Sequence, residues 1–481
     1  MKKKFVINLI LLLFLNLLIK PFWIFGIDRS VQNLAGAEEY GLYFSLLSFS
    51  LLLNILLDIG LTNFNNRAIA RNQKLLDNYL SNIILLKFLL GILYLIICFV
   101  IAFTIGYNAR QQSILLFLAI NQFLNSFILY LRSNVSGLQM FITDSFLSVL
   151  DKTLMILFCS IILWSNVFNH TFKIEWFVYA QTLSYAITVV IIFILVVRKS
   201  NHFRLTFDLN YSRLILIKSF PFAILVLLMA CYNRIDSVML ERMLPDGKEQ
   251  TGIYAQAFRI LDALSMFGFL FAGLLLPMFS RMLKKKEPLG SLLQLSYTLI
   301  IVPAITVAII AFFYGSEIMK IMYKEHVAAS TNLFGLLMIG FVGISTTYIF
   351  GTLLTANGNL RQLNLMALSG VIINILLNIF LIPRYYALGS AIASMITQIC
   401  TGFAQVILSQ RLLKLKINYN LIFRLALFII LLILTNLIIR QTHLTWYYGL
   451  GLVILMSMAL ASMLKLILPK NILIIMREKT N

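Results

Sequence analysis

Charged side chains inside apolar segments are the residues of this sequence whose types and spacing could do chemistry. Arg234 and Asp236 end one apolar segment, and Arg259 and Asp262 lie within the next one. In a membrane-spanning helix, a central charge costs roughly 2.5–3.5 kcal/mol, so it faces a partner, a wet cavity or the interface. A guanidinium group suits phosphate because it stays charged and presents a planar fork of donors. We therefore predict that Arg234 and Arg259 bind an anionic ligand, with a structural ion pair such as Asp236 with Arg259 as the alternative.

The depth of these residues follows from the helical rise of about 1.5 Å per residue. By this rise, Arg259 lies roughly 10 Å and Asp262 roughly 15 Å inward from Gly252. Arg234 lies roughly 24 Å along its helix from Lys218. If Lys218 marks the cytoplasmic boundary, Arg234 and Asp236 lie in the outer third of the segment or at the outer interface. Because Arg259 and Asp262 are three residues apart, they share one helix face. Asp262 is thus predicted to hold Arg259 and to release it when an anionic ligand arrives.

The N-terminal part of the chain offers a second set of charges in apolar surroundings. Its basic members, also predicted to bind the anionic ligand, are Lys20, Arg29, Lys87 and Lys152. The Lys20-Pro21 step predicts that the first helix is broken, and broken helices mark binding regions in transporters. The alternative is a proline kink beside a lysine whose side chain extends to the membrane interface. For Lys87 and Lys152, too, the alternative is a lysine side chain that extends to the membrane interface. The carboxylates predicted to pair with charges or to bind H⁺ or Na⁺ are Asp151, Asp236 and Asp262.

Other chemistries find little support in the sequence. The four cysteines, Cys98, Cys159, Cys231 and Cys400, lie in apolar segments without paired spacing, and the four histidines are scattered over connectors. Neither a disulfide framework nor a metal site is predicted. The sequence also has no nucleotide-binding loop or catalytic motif, so it predicts no cofactor and no enzyme. Asn374 and Asn378 share one helix face and are predicted to form interhelical hydrogen bonds.

Composition indicates that membrane-spanning helices position these residues. The chain has 481 residues, of which 60% are hydrophobic and 12% charged, whereas a soluble domain is about a quarter charged. Apolar runs of about 20 residues alternate with short polar connectors, as bilayer-spanning helices require. We predict an all-α polytopic membrane protein with about fourteen transmembrane helices. They are expected near residues 5–25, 41–61, 80–105, 112–131, 146–164, 175–197, 214–234, 252–280, 292–313, 331–354, 363–382, 387–409, 421–439 and 446–468.

The net charge of +21 is explained by membrane topology. If Lys2, Lys3 and Lys4 are cytoplasmic, about 23 Lys and Arg residues fall on the cytoplasmic side and about 9 on the other, which is the positive-inside asymmetry. An even number of spans then puts both termini in the cytoplasm. The basic charge therefore does not indicate nucleic acid as a partner. The first span is too long for a signal-peptide core and is expected to stay as the first helix.

A repeat relates the two halves of the chain. The second span opens with EEYGLYFSLLSF and the eighth with EQTGIYAQAFRI, so Gly41 and Tyr43 correspond to Gly252 and Tyr254. The offset of six spans predicts parallel repeats, which usually enclose a central cavity. We predict a six-helix bundle over residues 1–205, a second over 206–416, and two additional helices with a cytoplasmic tail over 417–481.

The ordered set of motifs resembles the bacterial polysaccharide (O-antigen type) flippases of the multidrug/oligosaccharidyl-lipid/polysaccharide exporter superfamily. It comprises AGAEEYGLYFSLLSFSLLLNILLDIGLTNFNNRAIARN, then CYNRIDSVMLERM with TGIYAQAFRILDAL, and then INILLNIFLIPRYYALGSAIASMITQ. The resemblance implies two six-helix bundles around an alternating-access cavity in the bacterial cytoplasmic membrane. It implies a polyprenyl-pyrophosphate oligosaccharide as cargo, moved from the inner to the outer leaflet, and polysaccharide-assembly proteins as partners.

Other functions stay open at this point. A multidrug or cation antiporter of the same fold would favour an acidic cavity, whereas the charges within the apolar segments are mainly basic. A lipid II flippase would share the fold. A membrane glycosyltransferase or polymerase would typically need a sizeable extramembrane loop or domain, and no connector is longer than roughly twenty residues.

Overall fold

The computed structural model describes residues 14–16, 18–62, 65–66, 69, 75–164, 172–200, 209–415, 418–442 and 444–467. Within these ranges all regular secondary structure is helical. The helices are α1 (Arg29–Leu52), α2 (Leu75–Ile105), α3 (Ala109–Gly137), α4 (Phe141–Trp164), α5 (Ile174–Val197), α6 (Leu209–Met243), α7 (Gly247–Lys285), α8 (Gly290–Met322), α9 (Val327–Ala356), α10 (Leu360–Leu413), α11 (Tyr419–Gln441) and α12 (Trp446–Met463). A π-helix (Trp23–Asp28) precedes α1, and a 3₁₀-helix (Asn54–Leu57) follows it.

Eleven described helices, α2 to α12, are long and apolar enough to cross a membrane. The chain is therefore a multi-pass, all-helical membrane protein, as the apolar runs predict. The third to fourteenth predicted spans all correspond to these helices, with the eleventh and twelfth both in α10. The first predicted span lies largely outside the described residues. The second, 41–61, is not continuous, because α1 ends at Leu52 and the 3₁₀-helix replaces its last turns.

The chain divides into two compact units, Met1–Gly252 and Ile253–Asn481. In the first unit, α2, α3 and α5 share a buried core. Tyr130 and Leu131 of α3 pack there with Leu80 of α2 and Ile192 of α5. The Tyr130 hydroxyl donates a hydrogen bond to the Leu80 carbonyl oxygen at 3.1 Å, so even the polar atom of this large side chain is satisfied inside the core.

Two glycines of the sequence repeat allow α1 to approach the first turns of α7 within the first unit. A Cβ atom on Gly41 would lie 1.8 Å from the carbonyl oxygen of Lys248, and a Cβ atom on Gly252 would lie 1.9 Å from that of Ala37. No side chain fits at either position without backbone movement. The Gly-x-Tyr repeat therefore has a packing reason here, because glycine alone lets two backbones come this close.

In the second unit, α8, α9 and α10 pack together, and α11 and α12 lie against α8. The core between them contains Ile305 and Tyr314 of α8, Phe428 and Leu432 of α11, and Val453 of α12. An α-helix pairs most of its backbone polar groups within itself, which is the condition for a segment in lipid.

Helix α10 contains two of the predicted spans, separated by a kink at Tyr386 (φ 53°, ψ −135°). The hydroxyl of Ser390, after the kink, donates to Oδ1 of Asn378, before it, at 2.8 Å. Asn378 in turn donates to the carbonyl oxygen of Asn374 at 3.0 Å. Asn378 and Ser390 therefore join the two arms of the helix, as predicted for Asn378.

Candidate functional site

The candidate site includes residues near the N-terminal end of the described part of the first unit. Residues 18–22, including Lys20 and Pro21, are helical, and the π-helix starts at Trp23. The predicted break at Lys20-Pro21 is therefore a change of helix type and not an interruption. Short π-helical stretches occur often at functional sites, since the wider turn displaces side chains from their regular positions. Here it sets the position of Trp23.

Lys152 of α4 lies at the centre of this site. Its Nζ donates to the hydroxyl of Tyr185 on α5 at 3.1 Å and lies 3.4 Å from Oδ2 of Asp151. It also lies 5.5 Å from the ring centroid of Trp23 and 5.1 Å from that of Tyr185. A cation within about 6 Å of an aromatic face is attracted by the negative charge density of the ring. Three chain segments therefore meet at one ammonium group.

Lys20 adds a second cation to this arrangement. It interacts electrostatically with Asp151, Lys152 and Arg132. We call Lys20, Trp23, Asp151, Lys152 and Tyr185 the lysine–aromatic cluster. Two lysines and one carboxylate give the cluster a net charge of +1, and its side chains are partly exposed. This combination of charge and access suits an anionic group.

A further ion pair borders the cluster. Nε of Arg132 on α3 lies 2.9 Å from Oδ1 of Asp144 on α4, so this pair is neutral overall. Sequence reasoning missed both residues, because the predicted span ended at 131 whereas α3 continues to Gly137. The signal that could have revealed them is the placement of one basic and one acidic residue on either side of a short connector.

An aromatic wall extends from the cluster toward α1. Trp23 stacks on Phe177 of α5 with ring centroids 5.7 Å apart, and Phe177 meets Tyr43 of α1 edge-on at 5.3 Å. The Tyr43 hydroxyl accepts a hydrogen bond from Gln181 at 3.1 Å. Phe177 and Tyr43 are buried, so these ring contacts fix the position of Trp23 within the first unit.

Arg234, Asp236 and Arg29 are further predicted site residues of the first unit. Arg234 of α6 is half-buried, whereas Asp236, two residues on, is fully buried; their side chains do not share a helix face. Arg29 is half-buried at the start of α1. The neighbouring Asp28 is buried and accepts a hydrogen bond from the Tyr40 hydroxyl at 2.9 Å.

Arg259 and Asp262 belong to the second unit. Nη1 of Arg259 lies 3.9 Å from Oδ2 of Asp262, and both side chains keep some exposure. This is a loose i,i+3 pair on one face of α7. Their roles in binding or in ion coupling stay predictions, as does a common cavity with Arg234.

Lys87 of α2 is placed differently from the other basic residues. It is 1% exposed, and its Nζ lies 2.5 Å from Oδ1 of Asp58. An ammonium group with so little surface has no access to a ligand in this structure. The predicted second span, 41–61, would place Asp58 within a continuous helix, whereas the residue lies at the break that follows α1.

A second ionic network, missed from the sequence, lies at the start of α3. Arg110 pairs with both carboxylate oxygens of Glu39, at 2.7 and 2.5 Å, and with Glu175 at 2.8 Å. Asn108 and Gln111 form a capping box at the same helix start. The three-residue spacing of that box is the signal that could have marked this helix end. Two carboxylates already pair with Arg110, which favours a structural role over ligand binding.

Comparison with known families gives one match over most of the chain. The family described as polysaccharide biosynthesis protein matches residues 8–283. A search of curated proteins gives no significant match.

Comparison with solved structures identifies the fold. The chain is similar to the lipid II flippase MurJ in an inward closed conformation, with a TM-score of 0.72 and 13% identity over 94% of this chain and 98% of that chain. It is similar to an inward-facing multidrug resistance MATE family transporter of the MOP superfamily, with a TM-score of 0.62 and 15% identity over 83% and 97%. A MOP superfamily transporter from Pyrococcus furiosus gives a TM-score of 0.58 and 13% identity over 84% and 93%. The fold is therefore of the MOP transporter type.

Proposed function

We propose, because the chain belongs to the polysaccharide biosynthesis protein family, that it is a flippase for a lipid-linked oligosaccharide. The cargo would be a glycan on a polyprenyl pyrophosphate, moved by alternating access from the cytoplasmic to the outer leaflet for surface polysaccharide or O-antigen assembly. The observation that carries the cargo assignment is the lysine–aromatic cluster. Its net positive charge and its aromatic faces fit a ligand with an anionic end and a glycan.

The chemistry of the proposed contact follows from the cluster. Lys152 and Lys20 would donate charge-assisted hydrogen bonds to the pyrophosphate oxygens, and such bonds are roughly twice as strong as neutral ones. Asp151 holds Lys152 at 3.4 Å, a distance long enough for a phosphate oxygen to compete. The faces of Trp23 and Tyr185 would pack against the sugar next to the pyrophosphate, as amphipathic rings do.

Further residues are proposed along the path of the cargo. Arg29, Arg234 and Arg259 would meet the anionic group before or after the cluster. Asp236 and Asp262 would balance these charges, and Asp151 or Asp262 would bind H⁺ or Na⁺ if transport uses an ion gradient. Carboxylates within membrane segments commonly serve such relays.

The proposed setting is the bacterial cytoplasmic membrane. The positive-inside asymmetry supports placing both termini in the cytoplasm. Polysaccharide-assembly proteins that make the cargo and polymerise it are the proposed partners, because a flippase needs a supply of lipid-linked glycan on one face and its removal on the other.

A transfer assay in proteoliposomes tests this proposal. Wild-type protein is expected to move a fluorescent polyprenyl-pyrophosphate oligosaccharide between leaflets faster than protein-free vesicles do. The same vesicles are given lipid II and, separately, a cationic dye with H⁺ and Na⁺ gradients. Movement of the oligosaccharide alone supports the assignment. Movement of lipid II alone would reassign the cargo, and movement of the dye alone would make the protein a cation antiporter.

A further inference from the structure

The break that follows α1 surrounds the Lys87 ammonium with oxygen atoms. Lys87 Nζ lies 3.0 Å from the carbonyl oxygen of Leu57, 2.5 Å from Oδ1 of Asp58 and 2.8 Å from Oγ of Ser126, with the Ser126 carbonyl oxygen at 3.4 Å. All four contacts are oxygens, and they come from the 3₁₀-helix, the residue after it, and α3. We call this set the oxygen cradle.

The backbone at the break is arranged so that its carbonyl end faces the cradle. Leu57 ends the 3₁₀-helix, and the next residues include Ile59 (φ 42°) and Gly60 (φ 84°), which turn the chain. Because the helix does not continue past Leu57, the Leu57 carbonyl oxygen accepts hydrogen bonds from side chains. The donors are the Lys87 ammonium and, at 3.2 Å, the Ser126 hydroxyl. The negative end of a helix favours a cation.

The carboxylate of the cradle is itself fixed from the other side. Asp58 accepts from the backbone N–H of Thr62 at 3.2 Å and from its hydroxyl at 2.5 Å. Among the described residues, Asp58 is the charged group that faces Lys87 from the elements packed against it. One cation and one anion therefore balance at this site, where the Lys87 side chain is 1% exposed and the Asp58 side chain 27% exposed.

The composition of the cradle is that of a site for a monovalent cation. Unwound backbone carbonyls and helix C-terminal ends coordinate Na⁺ or H⁺ where helices break in membrane transporters. Carboxylate, carbonyl and hydroxyl oxygens are the ligands that hard cations prefer. When such a site holds a lysine ammonium, the bound cation is part of the chain and cannot exchange with ions in solution.

We propose that the oxygen cradle is a monovalent-cation site whose resident cation is the Lys87 ammonium. It holds the break after α1 closed without an exchangeable ion. Without that ammonium, the site takes a free monovalent cation, either a small primary ammonium or Na⁺. Any Na⁺ coupling in the wild-type protein therefore acts at another position.

The test uses the full-length chain with Lys87→Ala, which removes the propylammonium part of the side chain. Purified protein in lipid nanodiscs is melted at constant ionic strength in choline chloride, propylammonium chloride or NaCl. In choline, the Tm of Lys87→Ala is expected to fall by at least about 5 °C, because removal of one partner leaves the charge of the partly buried Asp58 carboxylate uncompensated. Propylammonium or Na⁺ is expected to restore at least half of that loss. The Tm of wild type is expected to be the same in all three salts.

The double variant Lys87→Ala with Asp58→Asn is the matched control. It has the same space but no carboxylate, so neither propylammonium nor Na⁺ should raise its Tm relative to choline. Equal responses of the single and double variants would show an ordinary ion pair and overturn the proposal.

If Lys87→Ala yields no folded protein in choline, it is purified with propylammonium throughout. Recovery of folded protein then supports the cation site, whereas no recovery alongside a folded double variant overturns it. The readout is stability, so the result stands apart from the flippase proposal.

Discussion

Lys152→Met is expected to lower the rate of polyprenyl-pyrophosphate oligosaccharide transfer at least about tenfold, because a charge-assisted hydrogen bond contributes about 1.5–3 kcal/mol. Methionine keeps much of the length and apolar volume of the side chain but removes the cation between Trp23 and Tyr185. The rate is measured in proteoliposomes at matched protein content, after the melting curve has shown that the variant is folded.

Two controls separate loss of cargo contact from loss of structure. Lys284→Met removes an exposed lysine from the last turn of α7 and is expected to leave the rate within about twofold, since surface charges away from a site contribute little. The double variant Asp151→Asn with Lys152→Met removes both charges and leaves no unpaired carboxylate. A double variant with a wild-type rate would show that the single change acts through Asp151 alone.

Gly343→Ala is expected to destabilise the second unit by several kcal/mol or to prevent folding. A Cβ atom at Gly343 of α9 would lie 2.4 Å from the carbonyl oxygen of Gln398 on α10, and one at Gly402 would lie 2.8 Å from the Gly343 carbonyl oxygen. The obstacle is backbone and not a movable side chain, so the effect should exceed the about 1–3 kcal/mol of ordinary overpacking. Thermal unfolding in nanodiscs measures it.

The same helix offers a matched glycine for this change. Gly335 has no atom within 4 Å of an added Cβ, so Gly335→Ala is expected to keep or raise the Tm, since alanine in a helix is favoured over glycine by about 1 kcal/mol. An equal loss of stability in both variants would mean that the close approach of α9 and α10 is not the cause.

Much of the topology could be predicted because lipid imposes a simple rule. Apolar runs of sufficient length must be helices, and twelve of the fourteen predicted spans correspond to α2 to α12. The break after α1 could not be predicted in this way. Residues 54–57 read Asn-Ile-Leu-Leu, which is compatible with a continuous helix. The residue that contacts the carbonyl oxygen at the end of the 3₁₀-helix is Lys87, some thirty residues further along the chain.

The candidate site was predicted only in part. The sequence indicates that Lys20, Asp151 and Lys152 are charges in apolar surroundings, but it does not show that they meet. Their meeting depends on Trp23 and Tyr185, which lie more than a hundred residues apart and carry no local signal. Lys87 is likewise grouped with the ligand-binding lysines because the sequence does not show its partners. In the structure, the oxygen cradle, which includes Asp58, surrounds its ammonium group.

Equilibrium binding of a lipid-linked glycan with a charged or an uncharged link tests the central claim most directly. Nanodiscs containing wild-type protein, Lys152→Met or Lys284→Met are titrated with a polyprenyl-pyrophosphate oligosaccharide and with the same glycan on the uncharged polyprenyl alcohol. Wild type and Lys284→Met are expected to bind the pyrophosphate form at least about tenfold more tightly, and Lys152→Met is expected to lose most of that preference. Equal affinity of wild-type protein for both lipids would contradict recognition of the pyrophosphate by the lysine–aromatic cluster.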